Sequence, residues 1–253
     1  MTTSTTPATA AWLGDWRRWR AERNALALAP HGLASVTGTH WLGDEPEAID
    51  GLPGRWAAVA GHAVADGPGD LHLELDPGTA VAVGELLIQP LGRAGRVAVR
   101  VFDPQAATRT AIEGIDAFDP DPAWVVEGRA DIGTQPLRLD HIDGFVSSNS
   151  AAQVHVRVRG REQALWGTLA PNSDIQITFA DTTNGTETER FRFLTVPAAD
   201  ENGRVTVDFN RAYLPPCTFT DHYLCPLPPA GNRLDFPVRV GETRVRRNGS
   251  APR

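Results

Sequence analysis

Lysine is absent from the 253 residues, so all 24 basic side chains are arginine. Chemistry that needs a side-chain amine is thereby excluded: a substrate Schiff base, a pyridoxal phosphate anchor and the lysine of a Walker loop. Cysteine is scarce as well; two residues cannot build a disulfide framework. No apolar run approaches the roughly 18 residues of a membrane span, and MTTSTTPATAA carries neither the basic nor the apolar region of an export signal. The expectation is a cytoplasmic protein with reduced thiols. An excess of positive charge is also missing, since the formal net charge is −7. That balance argues against nucleic acid and anionic membrane surfaces as partners. The GxSxG, HExxH, P-loop and GxGxxG motifs do not occur, and no βαβ rhythm suggests a Rossmann fold.

What is present is β-rich. Residues 1–10 read as a disordered Thr/Ala tail. Residues 11–29 predict an amphipathic docking helix, with Trp12, Trp16, Trp19, Arg23 and Leu26 on one face, ended by Pro30 and Gly32. Beyond Gly32, short runs such as SVTGTHWL, RVAVRVF, VHVRV and IQITF recur between Gly, Pro, Asp and Asn. Val154, Val156 and Val158 alternate with His155, Arg157 and Arg159, the period of a half-buried strand. The fold class expected is mainly β: an antiparallel sandwich or partly open barrel, with an N-terminal amphipathic helix and a long ordered Pro-rich C-terminal loop. Residues 11–253 read as a single domain. Residues 103–121 form the longest irregular connection, with room for a short helix.

The stretch DFNRAYLPPCTFTDHYLCPLPPAGNRLDFPVRVGE, residues 208–242, holds both cysteines and a dense set of polar groups. It is too polar for a core strand and too rich in proline for a helix, so it is an ordered loop, a site, or both. Cys217, His222 and Cys225 offer three soft ligands, with His40 as a possible fourth. No CxxC knuckle is present and the flanking prolines are stiff, so no metal site is expected. Asp140, His141 and Asp143 read as a surface turn. His40 stands beside Trp41 near a strand end, where a histidine can move protons or pack in a hairpin. In DTTNGTETERFRFL a turn precedes a strand whose Arg192 can fork onto an anion or pair with Asp181, Asp208 or Glu242.

The segments DFNRAYLPPCTFT, CPLPPAGNRL and GE resemble a bacterial family, the domain-of-unknown-function family sixteen-eighty-four. The resemblance spans the SVTGTHWL segment to Glu242. Gly38, His40, Trp41 and Leu42 match its G-L-H-W-L-like segment. Asp181, Thr183, Gly185 and Thr188 match its turn, and Arg192, Phe193 and Leu194 match the strand after it. Phe191 stands where the family usually shows glycine, Leu214 where it shows asparagine, and His222 where it is commonly aromatic. The resemblance implies one compact domain that groups His40, Arg192 and the C-terminal loop. It carries no activity with it.

Two functional readings follow. In one, the C-terminal loop forms a polar small-molecule pocket, with His40, Asp208 and Cys217 as catalytic groups and Arg192, Asn210, Arg211, Tyr213 and Asn232 holding a ligand, anionic if an arginine anchors it. In the other, the same residues form a structural network in a non-catalytic binding or scaffold protein. A cofactor is not readable from the chain, because flavin and haem sites in β-barrels often lack short motifs; nor is the oligomeric state.

Overall fold

The computed structural model describes residues 7–133 and 135–249, and the Ala-, Arg- and Leu-rich segment near the start forms a helix from Pro7 to Leu28. It begins four residues ahead of the expected start. Proline suits the first helical position, where its missing N–H would have no intrahelical acceptor. The expected tail is therefore helical from residue 7, and its first six residues lie outside the described ones.

The chain then separates into two compact units. One comprises Leu26–Ile112 with Phe219–Tyr223. It contains two four-stranded antiparallel sheets. The first orders its strands Val36–Trp41, Arg96–Phe102, Leu86–Arg93 and Val81–Val83; the second, Glu47–Ala48, Arg55–Val59, His62–Asp66 and His72–Leu75. Trp56, Ala63, Ala65, Ile88, Val97, Val99 and Val101 pack from both sheets into one core. The hairpin Arg55–Asp66 escapes a sequence reading because its strands are built of alanine, a poor strand former.

The other unit comprises residues up to Ala25, Glu113–Thr218 and Leu224–Arg253. Its centre is a six-stranded antiparallel half-barrel, with strands in the order Arg192–Val196, Ile175–Phe179, Arg161–Leu169, Ala151–Val158, Val125–Ile132 and Arg204–Asp208. The inward residues of these strands, among them Val154, Val156, Leu165, Ile177, Leu194 and Val207, form a continuous apolar core with Phe179 and Phe209. Between Asp208 and Glu242 the named elements are three 3-10 turns, Phe209–Arg211, Pro216–Thr218 and Ala230–Asn232. Residues 103–121, expected to be irregular, hold a helical turn, Ala107–Thr110, and a strand, Ile112–Ala117, that pairs with Glu242–Arg247. The fold is thus mainly β with an N-terminal helix. Among the described residues no helix is long and apolar enough to cross a membrane.

Candidate functional site

Arg192 opens a strand whose alternation faces it inward with Leu194 and Val196, not outward as a guanidinium face. Its side chain is fully buried. Nη2 donates to Asp181 Oδ2 at 2.6 Å and to the carbonyl of Val238 at 2.8 Å, and Nη1 donates to the carbonyl of Val240 at 2.6 Å. The guanidinium lies 5.3 Å from the centre of the Phe179 ring. Burial pushes its pKa below the ordinary arginine value, and Asp181 opposes that shift. Asp181 Oδ1 in turn accepts from Thr183 N and Thr183 Oγ1, and Thr183 Oγ1 meets Thr188 Oγ1 at 2.9 Å. The turn residues of DTTNGTETE therefore orient the carboxylate that neutralises Arg192.

The other polar residues of the C-terminal loop are similarly engaged. Asn210, fully buried, exchanges two bonds with the backbone of Asp121: its Oδ1 accepts from Asp121 N at 2.8 Å and its Nδ2 donates to Asp121 O at 3.0 Å. Asp208 Oδ1 accepts from the backbone and side-chain nitrogens of Asn210, and its Oδ2 accepts from Trp12 Nε1 at 2.9 Å. Arg211 stands 3.7 Å from the same Oδ2. Asn232, fully buried, donates to the carbonyls of Trp166 and Thr178 and accepts from Trp166 N. Tyr213 donates to Gln176 Oε1 at 2.8 Å, and the Arg23 guanidinium covers its ring. Cys217 N donates to Cys225 Sγ at 3.3 Å, and Cys225 is buried.

The helix is held by polar ties rather than by apolar contact alone. Fully buried Glu242 accepts from Arg20 Nη1 at 2.7 Å, from Arg23 Nε at 3.0 Å and from Leu214 N at 2.8 Å. Burial lowers the pKa of Arg20, and Glu242 counters the effect. Trp16 Nε1 donates to the Asn210 carbonyl. Leu26, expected on the docking face, is 49% exposed.

His40 belongs to the other unit. Its ring lies on Gly38, where an added Cβ would fall 2.1 Å from Nε2, so a larger residue there would displace the ring. Burial lowers its pKa, and nearby His222 lowers it further. Seven of the eight candidate residues thus share one unit, where Asp208 and Asn210 form one cluster; Arg192 and Asn232 tie down other parts of the loop.

Two surface clefts lie in the half-barrel unit, and none of the eight lines either. The first, about 350 Å³, is walled by Trp124, Arg159, Arg161, Phe236, Pro237 and Arg239. Three of these residues come from the C-terminal loop. Arg159 lies 5.0 Å from the Trp124 ring centre and Arg161 lies 5.4 Å from that of Phe236. Arg161 pairs with Asp235 at 2.7 Å, and Arg239 holds Glu187 through two nitrogens. Arg159 approaches Asp121 only to 3.7 Å. Sequence reading misses these residues because Arg159 looks like the solvent face of a strand and Phe236 like loop packing. The available signal is Arg159-Gly160, a two-residue link between pairing strands.

The buried polar residues brace this cleft. Asn210 holds the backbone of Asp121, which also lines it, and Arg192 holds the carbonyls of Val238 and Val240 on either side of Arg239. A cleft with rigid walls, stacked guanidinium groups and two aromatic rings can take a small anion with an apolar body.

No curated protein matches the chain. A solved structure that does is the solution NMR structure of an uncharacterized protein from Haloarcula marismortui, 26% identical, covering 52% of this chain and 76% of that one, with a TM-score of 0.44. A family model described as "Protein of unknown function (DUF1684)" matches residues 110–243, more than half of the chain, leaving the SVTGTHWL segment outside the match, and the chain belongs to that family.

Proposed function

We propose that this chain is a small-molecule-binding protein whose ligand is an anion seated in the cleft between Trp124 and Arg239. The observation that carries the reading is the convergence of Arg159, Arg161 and Arg239 with two aromatic rings on one cavity of about 350 Å³, a volume suited to a small ligand. The C-terminal loop contributes Phe236, Pro237 and Arg239, so the loop shapes the site. Arg192, Asn210, Asp208 and Asn232 act as structural ties, and this assignment favours binding over catalysis. Asp208 has both oxygens engaged by donors, which leaves it poorly placed to move a proton. The net charge of −7 supports a small molecule rather than nucleic acid as partner. A cytoplasmic location belongs to the same proposal.

The test is amide and indole NMR of the whole chain, titrated with millimolar carboxylates, phosphates and sulfates. Saturable shifts are expected at residues 158–161 and 235–239 and at the Trp124 indole. If no anion in the panel moves these signals, the reading is wrong.

A further inference from the structure

The cleft has an uneven charge arrangement. Two of its three arginines are neutralised at hydrogen-bond distance, Arg161 by Asp235 and Arg239 by Glu187. Arg159 differs: among the described residues its guanidinium has only the Trp124 ring and the 3.7 Å approach to Asp121. Asp121 divides its carboxylate: Oδ1 accepts from Ala123 N at 2.9 Å and caps the 3-10 turn Pro122–Trp124, and the Oδ2 that faces Arg159 comes no closer than 3.7 Å. One guanidinium therefore keeps its donors open to solvent, without a carboxylate at hydrogen-bond distance, over an indole that is 3% exposed. An arginine stacked on a ring has already lost much of its rotamer freedom, so less is lost when it grips an anion.

The backbone at this residue is unusual for its type. Val158 pairs with Arg161, leaving Arg159 and Gly160 as a two-residue hairpin link with φ of +48° and +80°. Such a turn needs left-handed backbone at both positions and favours Asn-Gly or Asp-Gly. Among the described non-glycine residues with positive φ, namely Ala60, Ala94, Arg159 and Ser173, only Arg159 carries a charge. A long charged side chain kept where asparagine would sit more easily points to a use for that side chain.

Resting on the cleft reading above, we infer that the ligand class is a planar aromatic monocarboxylate and that Arg159 is the residue that grips its carboxylate. One guanidinium without a carboxylate at hydrogen-bond distance matches one carboxylate, which a planar fork binds through two parallel bonds. The wall of Phe236 and Pro237 takes the flat ring, with the Arg161 guanidinium, already neutralised, 5.4 Å from the Phe236 ring centre. A dianion would bring its second charge to Asp121 or to arginines already neutralised by Asp235 and Glu187; a ring-less carboxylate would leave the apolar wall bare.

The experiment compares wild type and Arg159→Asn in calorimetric titrations with 1-naphthoate, acetate, phenyl phosphate and 1-naphthalenemethanol, together with thermal melts. Asparagine suits the turn, so the variant is expected to fold and to melt at an equal or higher temperature. For wild type, 1-naphthoate is expected to bind at least about tenfold more tightly than the other three probes. Arg159→Asn is expected to weaken it by about tenfold or more, as loss of a charge-assisted pair implies. If wild type binds 1-naphthoate and the variant binds it equally, the role of Arg159 is overturned while the cleft reading stands. If acetate or phenyl phosphate binds as well as 1-naphthoate, the ligand class is overturned. If wild type binds no probe here and no anion in the wider panel, the cleft reading itself falls.

Discussion

Replacing Arg192 with methionine keeps an unbranched apolar stem and removes the fork that ties Asp181 to the carbonyls of Val238 and Val240. Both members of the ion pair are fully buried. Removing one partner of such a pair costs about 3–5 kcal/mol, because the other charge is left uncompensated. Each carbonyl that loses its donor in a dry interior adds about 1 kcal/mol. The expected loss is therefore about 5–7 kcal/mol, a large part of the roughly 5–15 kcal/mol that holds a domain folded. Urea unfolding of Arg192→Met, Asp181→Asn and the double variant measures it. Asp181→Asn retains the Oδ1 acceptor for Thr183 but strands the Arg192 charge, so it should also cost about 3 kcal/mol. The double variant should cost well under the sum of the two, with a coupling of about 2 kcal/mol or more. A loss below about 1 kcal/mol for Arg192→Met, or strict additivity in the double variant, would refute the view that this pair anchors the segment before Glu242. A variant that stays fully folded yet loses anion binding would instead return Arg192 to the ligand.

Two further outcomes are expected. Glu242→Gln leaves Arg20 and Arg23 without their shared buried counter-charge, so it should cost about 2–4 kcal/mol and raise amide exchange along Pro7–Leu28; exchange as slow as in wild type would show that the tryptophans alone seat the helix. His40 should titrate below the ordinary histidine value near 6.5 in an imidazole NMR titration. As pH falls below that value the unfolded chain takes up the proton before the folded one. The stability linked to His40 is thus complete above about pH 6.5 and is lost as pH falls toward the folded value. His40→Gln should flatten this part of the stability profile; a midpoint at or above the ordinary value would contradict the reading.

The β-rich class was legible because it depends on local alternation. Val154, Val156 and Val158 do face the core, and IQITF is a strand with the bounds its residues predict. The helix was legible for the same reason, although Leu26 was assigned to the wrong side, because periodicity gives a face but not what lies against it. The alanine-rich hairpin and the strand Ile112–Ala117 were not legible, since each has only two of the branched residues that mark strands. Around the loop, residue choice flagged the right side chains with an ambiguous role. Arg192, Asn210 and Asn232 are as polar and as well placed for a ligand as for a buried network. The choice depends on Asp181, Asp121 and Trp166, residues 11, 89 and 66 positions away along the chain.

Composition and pattern alone were enough to exclude amine chemistry, to set the acidic balance, to predict a mainly β chain led by a helix, and to mark residues 208–242 as unusual. Those properties sum over residues or repeat over a few neighbours, so they survive without knowledge of the fold. Which way Arg192 faces, which carboxylate neutralises it, and that Trp124, Arg159 and Phe236 share one cleft are matters of long-range packing. They follow from strand order and hairpin register in the half-barrel. Nothing in the spacing of residues 124, 159 and 236 along the chain encodes their meeting.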